Sequence, residues 1–135
     1  MYSLTAVMPF YNEEDFLQES FERLHSSGVA DKILLVDDSS TDRSKEIAKN
    51  IADKYINVSY FLNKSNKGKG SALISIKEHI QTSHMVIHDA DLEYDPNDLI
   101  KLKKLSIENK NSLILGSRFI GSIERNNLYK STHAA

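Results

Sequence analysis

Short apolar runs alternate with longer amphipathic stretches from the N-terminus to about residue 116. Apolar runs of four to eight residues bounded by polar residues are typical of strands. They predict five strands, at residues 4–9, 32–37, 58–62, 85–88 and 112–116. The second run shows no apolar–polar alternation, which is expected of a strand covered on both faces. We expect the fourth run to be buried in the same way.

The stretches between these runs carry helical spacing and helix boundary residues. They predict helices over 12–27, from a cap at 40–42 to about Tyr55, over 71–81, and from Pro96 onward. Asn12 and Asp95 are the expected caps of the first and last helix, and Gly28 ends the first. The positions expected to face the core are Phe16, Leu17, Phe21 and Leu24, then Ile47, Ala48, Ile51, Ala52 and Tyr55, then Ala72, Leu73, Ile76 and Ile80, and finally Leu99, Leu102 and Leu105.

Strict alternation of strands and helices predicts an α/β fold. The expected architecture is a mostly parallel, Rossmann-like sheet with helices on both faces and right-handed crossovers. Open sheets of this kind bind their ligands beyond the carboxyl ends of the strands. Polar residues that follow the predicted strands are therefore the candidates for chemistry.

An acidic pair follows the fourth predicted strand. Asp89 and Asp91 are two residues apart, so on an extended chain both carboxylates can point to one spot. Two carboxylates repel unless a positive charge lies between them, and Mg²⁺ or Mn²⁺ could provide it while leaving positions open for substrate phosphates. An isolated Asp-x-Asp triplet is more often a solvated loop, so the other strand ends must support this hypothesis.

The other strand ends do carry polar residues. Asp38 follows the second strand, where it can accept hydrogen bonds from a base or ribose, or can cap the next helix. Arg118 follows the fifth strand and can pair with phosphate, or can be a surface arginine. Pro9, Tyr11 and Glu13 follow the first strand. Each residue alone could be an ordinary surface or capping residue. The placement of all of them at one edge of the sheet by chance is much less probable than any one of these ordinary explanations.

Two common phosphate-binding loops do not match. The segment after the first strand has no glycine and carries adjacent Glu13 and Glu14, which disfavours a dinucleotide loop. Gly68-Lys69-Gly70-Ser71 follows the third strand and lacks a lysine after its second glycine, so it is not a P-loop. A flexible turn with solvated lysines is at least as plausible for Lys64, Lys67 and Lys69.

Composition narrows the class of protein. A chain of 135 residues with 40% hydrophobic and 27% charged residues is consistent with one globular domain. The net charge of −2 disfavours a nucleic-acid partner. The chain has no cysteine, which is compatible with the reducing cytoplasm. We expect no signal peptide and no membrane-spanning segment.

Five segments together resemble a known family. They are residues 9–13 (PFYNE), 36–42 (VDDSSTD), 66–70 (NKGKG), 89–93 (DADLE) and 116–119 (GSRF). In this order and spacing they resemble family 2 glycosyltransferases of the GT-A fold. The nearest type is the dolichyl- or polyprenyl-phosphate sugar transferases, such as dolichol-phosphate mannose synthase. The resemblance covers residues 4–119.

The resemblance implies a role for each matching residue. Pro9, Tyr11, Glu13, Val36 and Asp38 would line the nucleoside pocket; Asp89, Ala90 and Asp91 would meet the pyrophosphate and the Mg²⁺ or Mn²⁺ ion; Arg118 would contact the donor phosphates. Glu93 would offer the metal an oxygen, where mannose synthases often have glutamine. Asp89, Asp91 and Arg118 are the expected catalytic residues.

The resemblance also implies the reaction. A nucleotide-sugar donor, GDP-mannose or a UDP-sugar, would give its sugar to polyprenyl (dolichyl) phosphate or to a glycan, in cell-envelope glycan biosynthesis. The alternative is a non-catalytic domain that binds the donor and transfers nothing. A Mg²⁺-dependent phosphatase that uses Asp89 and Asp91 as nucleophile and acid is a weaker hypothesis, because those enzymes usually place the acidic pair after their first strand.

The family pattern extends beyond this chain. We expect residues 1–120 to form the donor-binding domain and residues 121–135 to be a tail or the start of a missing acceptor region. A sheet face left open by that missing region would favour a homodimer without sugar transfer to polyprenyl phosphate. A full-length form would contact a membrane peripherally. The expected location is the cytoplasm, at the cytoplasmic face of the membrane.

Overall fold

The computed structural model describes residues 1–114. In this part of the chain, strands and helices alternate as the sequence predicts. The elements are β1 (Leu4–Phe10), α1 (Leu17–Ser27), β2 (Lys32–Asp37), α2 (Ser44–Lys54), β3 (Val58–Leu62), α3 (Lys69–Ser75), a 3₁₀ turn (Lys77–His79), β4 (His84–Ile87) and α4 (Pro96–Glu108).

The four strands form one sheet in the order β3-β2-β1-β4, and every pair is parallel. β1 pairs with β2 on one side, from Thr5 to Phe10, and with β4 on the other. The chain order of the strands therefore reverses at β1. At such a switch point the loops after neighbouring strands diverge and leave a crevice at the carboxyl edge.

Helices cover both faces of the sheet, which confirms the predicted fold class. On one face, Met8 and Leu35 pack with Phe21 of α1 and Ile51 of α2, and Leu99 of α4 joins the same cluster. On the other face, α3 packs on the sheet, and a smaller apolar cluster lies between them. Its buried members are Val7, Leu34, Val36, Ala72 and Ile76. β2 is buried on both faces, as its continuous apolar run predicts.

The first helix begins later than predicted. α1 starts at Leu17, not at Asn12, because Asn12 has a left-handed φ of 51° that no helix accommodates. Its side-chain oxygen accepts hydrogen bonds from the backbone N–H groups of Thr41 (2.8 Å) and Asp42 (3.3 Å) instead. Asn12 thus ties two loops together. Phe16 lies before the helix and is exposed, contrary to the prediction.

The third helix is shorter than predicted. α3 ends at Ser75, and the chain continues as a 3₁₀ turn in place of a helix to residue 81. The Ser75 hydroxyl donates to the Ala72 carbonyl at 2.6 Å, a contact that competes with helical hydrogen bonding. In α4, Leu99 and Leu102 contact the core, but Leu105 is 45% exposed, because the helix extends past the cluster.

The fourth strand is not covered on both faces. Met85 and Ile87 are 44% and 39% exposed, so the expectation of a fully buried strand is wrong. They pair with Thr5 and Val7 and lie on the α3 side, but α3 packs on β1 and β2. The predicted fifth strand lies mostly outside the described residues, and 112–114 form no strand.

Candidate functional site

A cleft of about 280 Å³ lies at the switch point between the carboxyl ends of β1 and β4. The loops after β1, β2 and β4 and the start of α3 all contribute to its wall. The lining residues are Pro9, Phe10, Tyr11, Glu13, Asp38, Lys69, Asp89, Ala90 and Asp91. The structure therefore brings together most of the residues that the strand ends predict, at the place where open α/β sheets bind ligands.

The acidic segment after β4 is held from several sides. The His88 N–H donates to the Val7 carbonyl at 2.9 Å, which continues the sheet ladder up to the acidic pair. The buried Ser20 hydroxyl of α1 donates to the Asp89 carbonyl at 3.2 Å. This leaves the Asp89 side chain directed to the cleft while its backbone is fixed. Ser20 is a positioning residue that the sequence analysis did not identify.

The far end of the same segment is held by two turns. Asp91 Oδ1 accepts the Glu93 N–H at 3.1 Å, and Asp95 caps α4 by accepting the Asn97 N–H at 2.9 Å. Pro96 occupies the first turn of that helix, as predicted. These short-range contacts fix the path of the chain between β4 and α4. The predicted cap at Asp95 is confirmed.

Glu13 enters the cleft from the loop after β1. Its backbone N–H donates to the Ser44 hydroxyl at 2.8 Å, at the start of α2. Burial raises the pKa of the Glu13 carboxyl above its ordinary value, and the negative charges of Asp91, Asp42 and Asp89 raise it further. These shifts show that Glu13 and the acidic pair share one electrostatic environment.

Asp38 is 4% exposed and anchors the loop between β3 and α3. One carboxylate oxygen accepts from the Asn63 side chain at 3.2 Å and from the Lys67 N–H at 3.3 Å. The other accepts from the Gly68 N–H at 2.9 Å. Within residues 1–114, the donors to this carboxylate all belong to this loop and none to α2, so the helix-cap alternative does not hold. Asp38 also lines the cleft.

The sequence leaves open whether Lys69 belongs to a solvated turn, and the structure places it in the wall of the cleft. Its ammonium forms an ion pair with Asp89 Oδ1. The spacing within 66–70 gives no indication of this contact. It depends on Asp38, which lies 30 residues before Gly68 and fixes the loop.

Two predicted residues lie outside the cleft. Val36 is fully buried in the core beneath α3 and does not line the cleft. Glu93 lies in the wall of a neighbouring depression of about 490 Å³, between the end of α1 and residues 92–97. Arg118 lies outside the described residues, so its role as a phosphate contact stays a prediction.

His88 precedes the acidic pair and is fully buried. Within residues 1–114 neither ring nitrogen has a hydrogen-bond partner, and the ring centre lies 5.9 Å from that of Tyr94. Burial lowers the pKa of His88 below its ordinary value and outweighs the opposite effect of the neighbouring Asp89. The ring is therefore neutral at physiological pH and adds no positive charge beside the cleft.

The charges of the cleft suit a divalent cation that the substrate helps to bind. Four carboxylates line the cleft, those of Glu13, Asp38, Asp89 and Asp91, and the ammonium of Lys69 is the one positive charge among the described lining residues. Within the described part of the chain, no group of three or more potential ligands forms a closed metal site. Mg²⁺ sites of nucleotide enzymes commonly use one or two carboxylates and complete the shell with substrate phosphates. Asp89 and Asp91 fit that pattern.

Across residues 1–114, each helix is too short or too polar to cross a lipid bilayer.

The model of the family described as "Glycosyl transferase family 2" matches residues 5–134. Fold and cleft define an α/β domain with an acidic ligand site at the switch point. With nearly the whole chain matched by that model, the chain belongs to glycosyl transferase family 2. The resemblance drawn from the five sequence segments is confirmed.

Relatives with assigned names extend the comparison. The chain is 32% identical over 131 residues to the dolichol-phosphate mannosyltransferase of Pyrococcus furiosus, covering 94% of the chain and 37% of the relative. It is 36% identical over 105 residues to the undecaprenyl-phosphate 4-deoxy-4-formamido-L-arabinose transferase of Edwardsiella ictaluri, covering 73% of the chain and 32% of that relative. The chain thus spans about a third of the length of these relatives.

Solved structures agree on the fold. The mannosyltransferase PcManGT of Pyrobaculum calidifontis, in complex with GDP-Man and Mn²⁺, superimposes with a TM-score of 0.66 at 22% identity, over 78% of the chain and 33% of that protein. TarS of S. aureus, in complex with UDP-GlcNAc, gives a TM-score of 0.67 at 18% identity, over 88% of the chain and 38% of that protein. Both confirm the GT-A-type architecture.

Proposed function

We propose that the switch-point cleft binds the diphosphate of a nucleotide-sugar donor through a divalent cation. The further proposal is that the enzyme transfers the sugar to a polyprenyl phosphate or a glycan. The observation that carries it is the convergence of Glu13, Asp89, Asp91 and Lys69 on one cleft at the switch point. The names of the two relatives, a dolichol-phosphate mannosyltransferase and an undecaprenyl-phosphate sugar transferase, support this proposal, as does the solved structure of PcManGT with GDP-Man and Mn²⁺.

In this proposal Asp89 and Asp91 hold Mg²⁺ or Mn²⁺. The chemistry that the cation supplies is Lewis-acid stabilisation of the leaving nucleoside diphosphate. Pro9 and Tyr11 form the wall on the β1 side, against which the nucleoside would lie. Asp38 keeps the β3–α3 loop in place beside it. Arg118 is proposed as a further phosphate contact.

A phosphate acceptor suits this arrangement. The second pKa of phosphate esters is about 6, so the attacking oxygen is already mostly ionised at neutral pH. Such an acceptor requires no side-chain base, whereas a sugar hydroxyl would require a carboxylate. This chemistry, with the lipid-phosphate names of the two relatives, supports polyprenyl phosphate over a glycan.

Lipid-linked acceptors also support a location. We propose that the enzyme works at the cytoplasmic face of a membrane and that its longer form contacts the lipid surface peripherally. The donor-binding domain would comprise residues 1–120, and 121–135 would begin the acceptor region or form a tail. We also propose a homodimer, for which the exposed side of β4 is the proposed contact surface.

Calorimetric titrations test the shared site of cation and donor. Mn²⁺ alone should bind weakly, because two carboxylates do not close its shell, and more tightly in the presence of GDP or UDP. Asp91→Asn should strongly weaken the metal-dependent binding of nucleotide. Asp53→Asn, which changes an exposed carboxylate on α2, is the matched control. Equal Mn²⁺ affinity with and without nucleotide would contradict the proposal.

An assay of the full enzyme distinguishes transfer from simple binding. A radiolabelled GDP-mannose or UDP-sugar is supplied together with polyprenyl phosphate, and donor hydrolysis is measured in parallel. Lipid product supports the transferase. Tight donor binding with neither product nor hydrolysis would favour the non-catalytic alternative.

A further inference from the structure

The cleft contains a positively charged side chain at the place proposed for the cation. Lys69 Nζ forms an ion pair with Asp89 Oδ1, and the Asp89 side chain is only 22% exposed. Among the described residues that line the cleft, Lys69 is the single basic side chain, against four carboxylates. One oxygen of a proposed metal ligand is therefore paired with a side chain of the protein itself.

The chain holds Lys69 in this place through its backbone. Asp38 accepts the N–H groups of Lys67 and Gly68, the two residues before it. Gly68 has a φ of 89° and a ψ of 169°, a conformation essentially restricted to glycine. The loop thus turns into α3 with Lys69 as the first helical residue. Asp38 holds the backbone of the loop and does not hold the Lys69 ammonium. The Lys69 side chain can therefore leave Asp89 while the Lys69 backbone stays fixed.

We propose that Lys69 is the counter-ion of Asp89 in the donor-free protein, and that a divalent cation must displace it in order to bind. This inference rests on the proposed function, which brings cation and donor to the cleft. The displaced ammonium remains at the cleft wall, where it pairs with the diphosphate of the donor. Lys69 therefore opposes the binding of the cation alone and favours the binding of cation and donor together.

The proposal predicts that loss of the Lys69 charge strengthens the binding of the cation alone and weakens the binding of nucleotide. A residue with a purely structural role would not change the two affinities in opposite directions. Lys69→Gln removes the charge at a side chain that is 48% exposed, so the fold should persist. Without nucleotide, the variant should bind Mn²⁺ about three- to fivefold more tightly than the unchanged protein, the scale of a partly exposed ion pair. At saturating Mn²⁺, it should bind GDP or UDP about threefold or more weakly, because a charge-assisted contact is lost.

Two further variants control the measurement. Lys67→Gln removes the same charge from the same loop at an exposed side chain that does not line the cleft, and it should leave both affinities within about twofold. Lys69→Arg keeps the positive charge and should restore the behaviour of the unchanged protein. Circular dichroism of each variant verifies the fold, and calorimetric titration gives the affinities.

Each outcome decides one part of the proposal. An unchanged or weaker Mn²⁺ affinity in Lys69→Gln would overturn the role as counter-ion. An unchanged nucleotide affinity would overturn the transfer of the ammonium to the diphosphate. Equal effects in Lys67→Gln would show that both affinity changes come from the loss of one positive charge in the loop and not from the position of Lys69. Failure of the unchanged protein to bind Mn²⁺ with GDP or UDP would instead overturn the proposed function, and this inference with it.

Discussion

The Asp38 carboxylate connects the end of β2 to a loop that begins 25 residues later. It accepts three hydrogen bonds from that loop and is almost completely buried. A buried carboxylate with this many donors is well satisfied, and each donor would be left unpaired if it were removed. At the scale of one residue, the stability of the loop and the shape of the cleft therefore depend on the same side chain.

We expect Asp38→Asn to lower both stability and nucleotide affinity. An amide in this position turns one acceptor into a donor, and in either orientation its NH₂ group faces loop N–H groups. The expected loss is about 1–3 kcal/mol in each quantity. Urea unfolding and calorimetric titration with GDP or UDP measure them, with Asp53→Asn on the exposed side of α2 as control. Unchanged nucleotide affinity in the folded variant would restrict Asp38 to a structural role.

The raised pKa of Glu13 predicts how the stability of the protein depends on pH. Its folded pKa is raised above 4.5 by burial and by neighbouring carboxylates, so the native state retains the proton longer than the unfolded chain. Stability from this group is therefore present below pH 4.5 and is lost as pH rises through the folded pKa. Glu13→Gln should raise Tm slightly at pH 7 and leave it unchanged near pH 4. Calorimetric scans at both pH values test this, and an equal shift at both would contradict it.

At this scale, the strand ends predict which carboxylates lie together, but they do not predict that the ammonium of Lys69 lies beside them. Glu13, Asp89 and Asp91 follow strands, and parallel strands carry their carboxyl ends to one edge, so topology alone brings these residues together. Lys69 belongs to a loop, and its position depends on a long-range hydrogen bond between Gly68 and Asp38 that no local pattern shows. The resemblance places Val36 in the nucleoside pocket, but its side chain lies on the opposite face of the sheet from Met8 and Leu35, beneath α3.

Among the elements, α3 shows how a glycine sets the direction of a helix. Gly68 precedes it in a conformation that places a side chain under strain, whereas Gly70 lies inside the helix with an ordinary φ. Both glycines have open space where a Cβ would lie. The two positions thus differ in backbone conformation and not in crowding, which makes them a matched pair.

We expect Gly68→Ala to destabilise the protein by about 1–3 kcal/mol, the cost of a non-glycine residue in this conformation. Gly70→Ala should be neutral or stabilising by up to about 1 kcal/mol, because alanine favours helices. Urea unfolding of both variants gives the comparison. Similar losses in the two would show that the conformation of Gly68 is not what sets the start of α3.

The boundaries of elements were less predictable than their order. Asn12 has a good N-cap side chain, but its carboxamide binds the loop before α2, and α1 begins five residues later. The Ser75 hydroxyl competes for a helical carbonyl at the end of α3. In both places a polar side chain that favours one local structure is used by another, and sequence periodicity carries no information about that choice.

At the scale of the whole molecule, the described sheet ends at β4, and this edge differs from the rest of the fold. The α3 side of β4 exposes Met85 and Ile87, since α3 lies over β1 and β2. Ile74 on α3 itself is 76% exposed. An exposed apolar surface on one side of a sheet commonly finds a partner. The open sheet face that the family pattern predicts stays a prediction, and the exposed side of β4 is the described surface that fits it.

We therefore predict that the 135-residue chain forms a homodimer through the exposed side of β4. Light scattering across a dilution series should show dimers that dissociate on dilution. The double variant Met85→Ser with Ile87→Ser should shift the protein to monomer. Its loss of stability should be small, since both side chains are already partly exposed. Ile56→Ser is the control, because it removes a fully exposed apolar side chain from the turn before β3, away from β4. A monomer at every concentration, or a dimer that the double variant leaves intact, would contradict this surface as the interface.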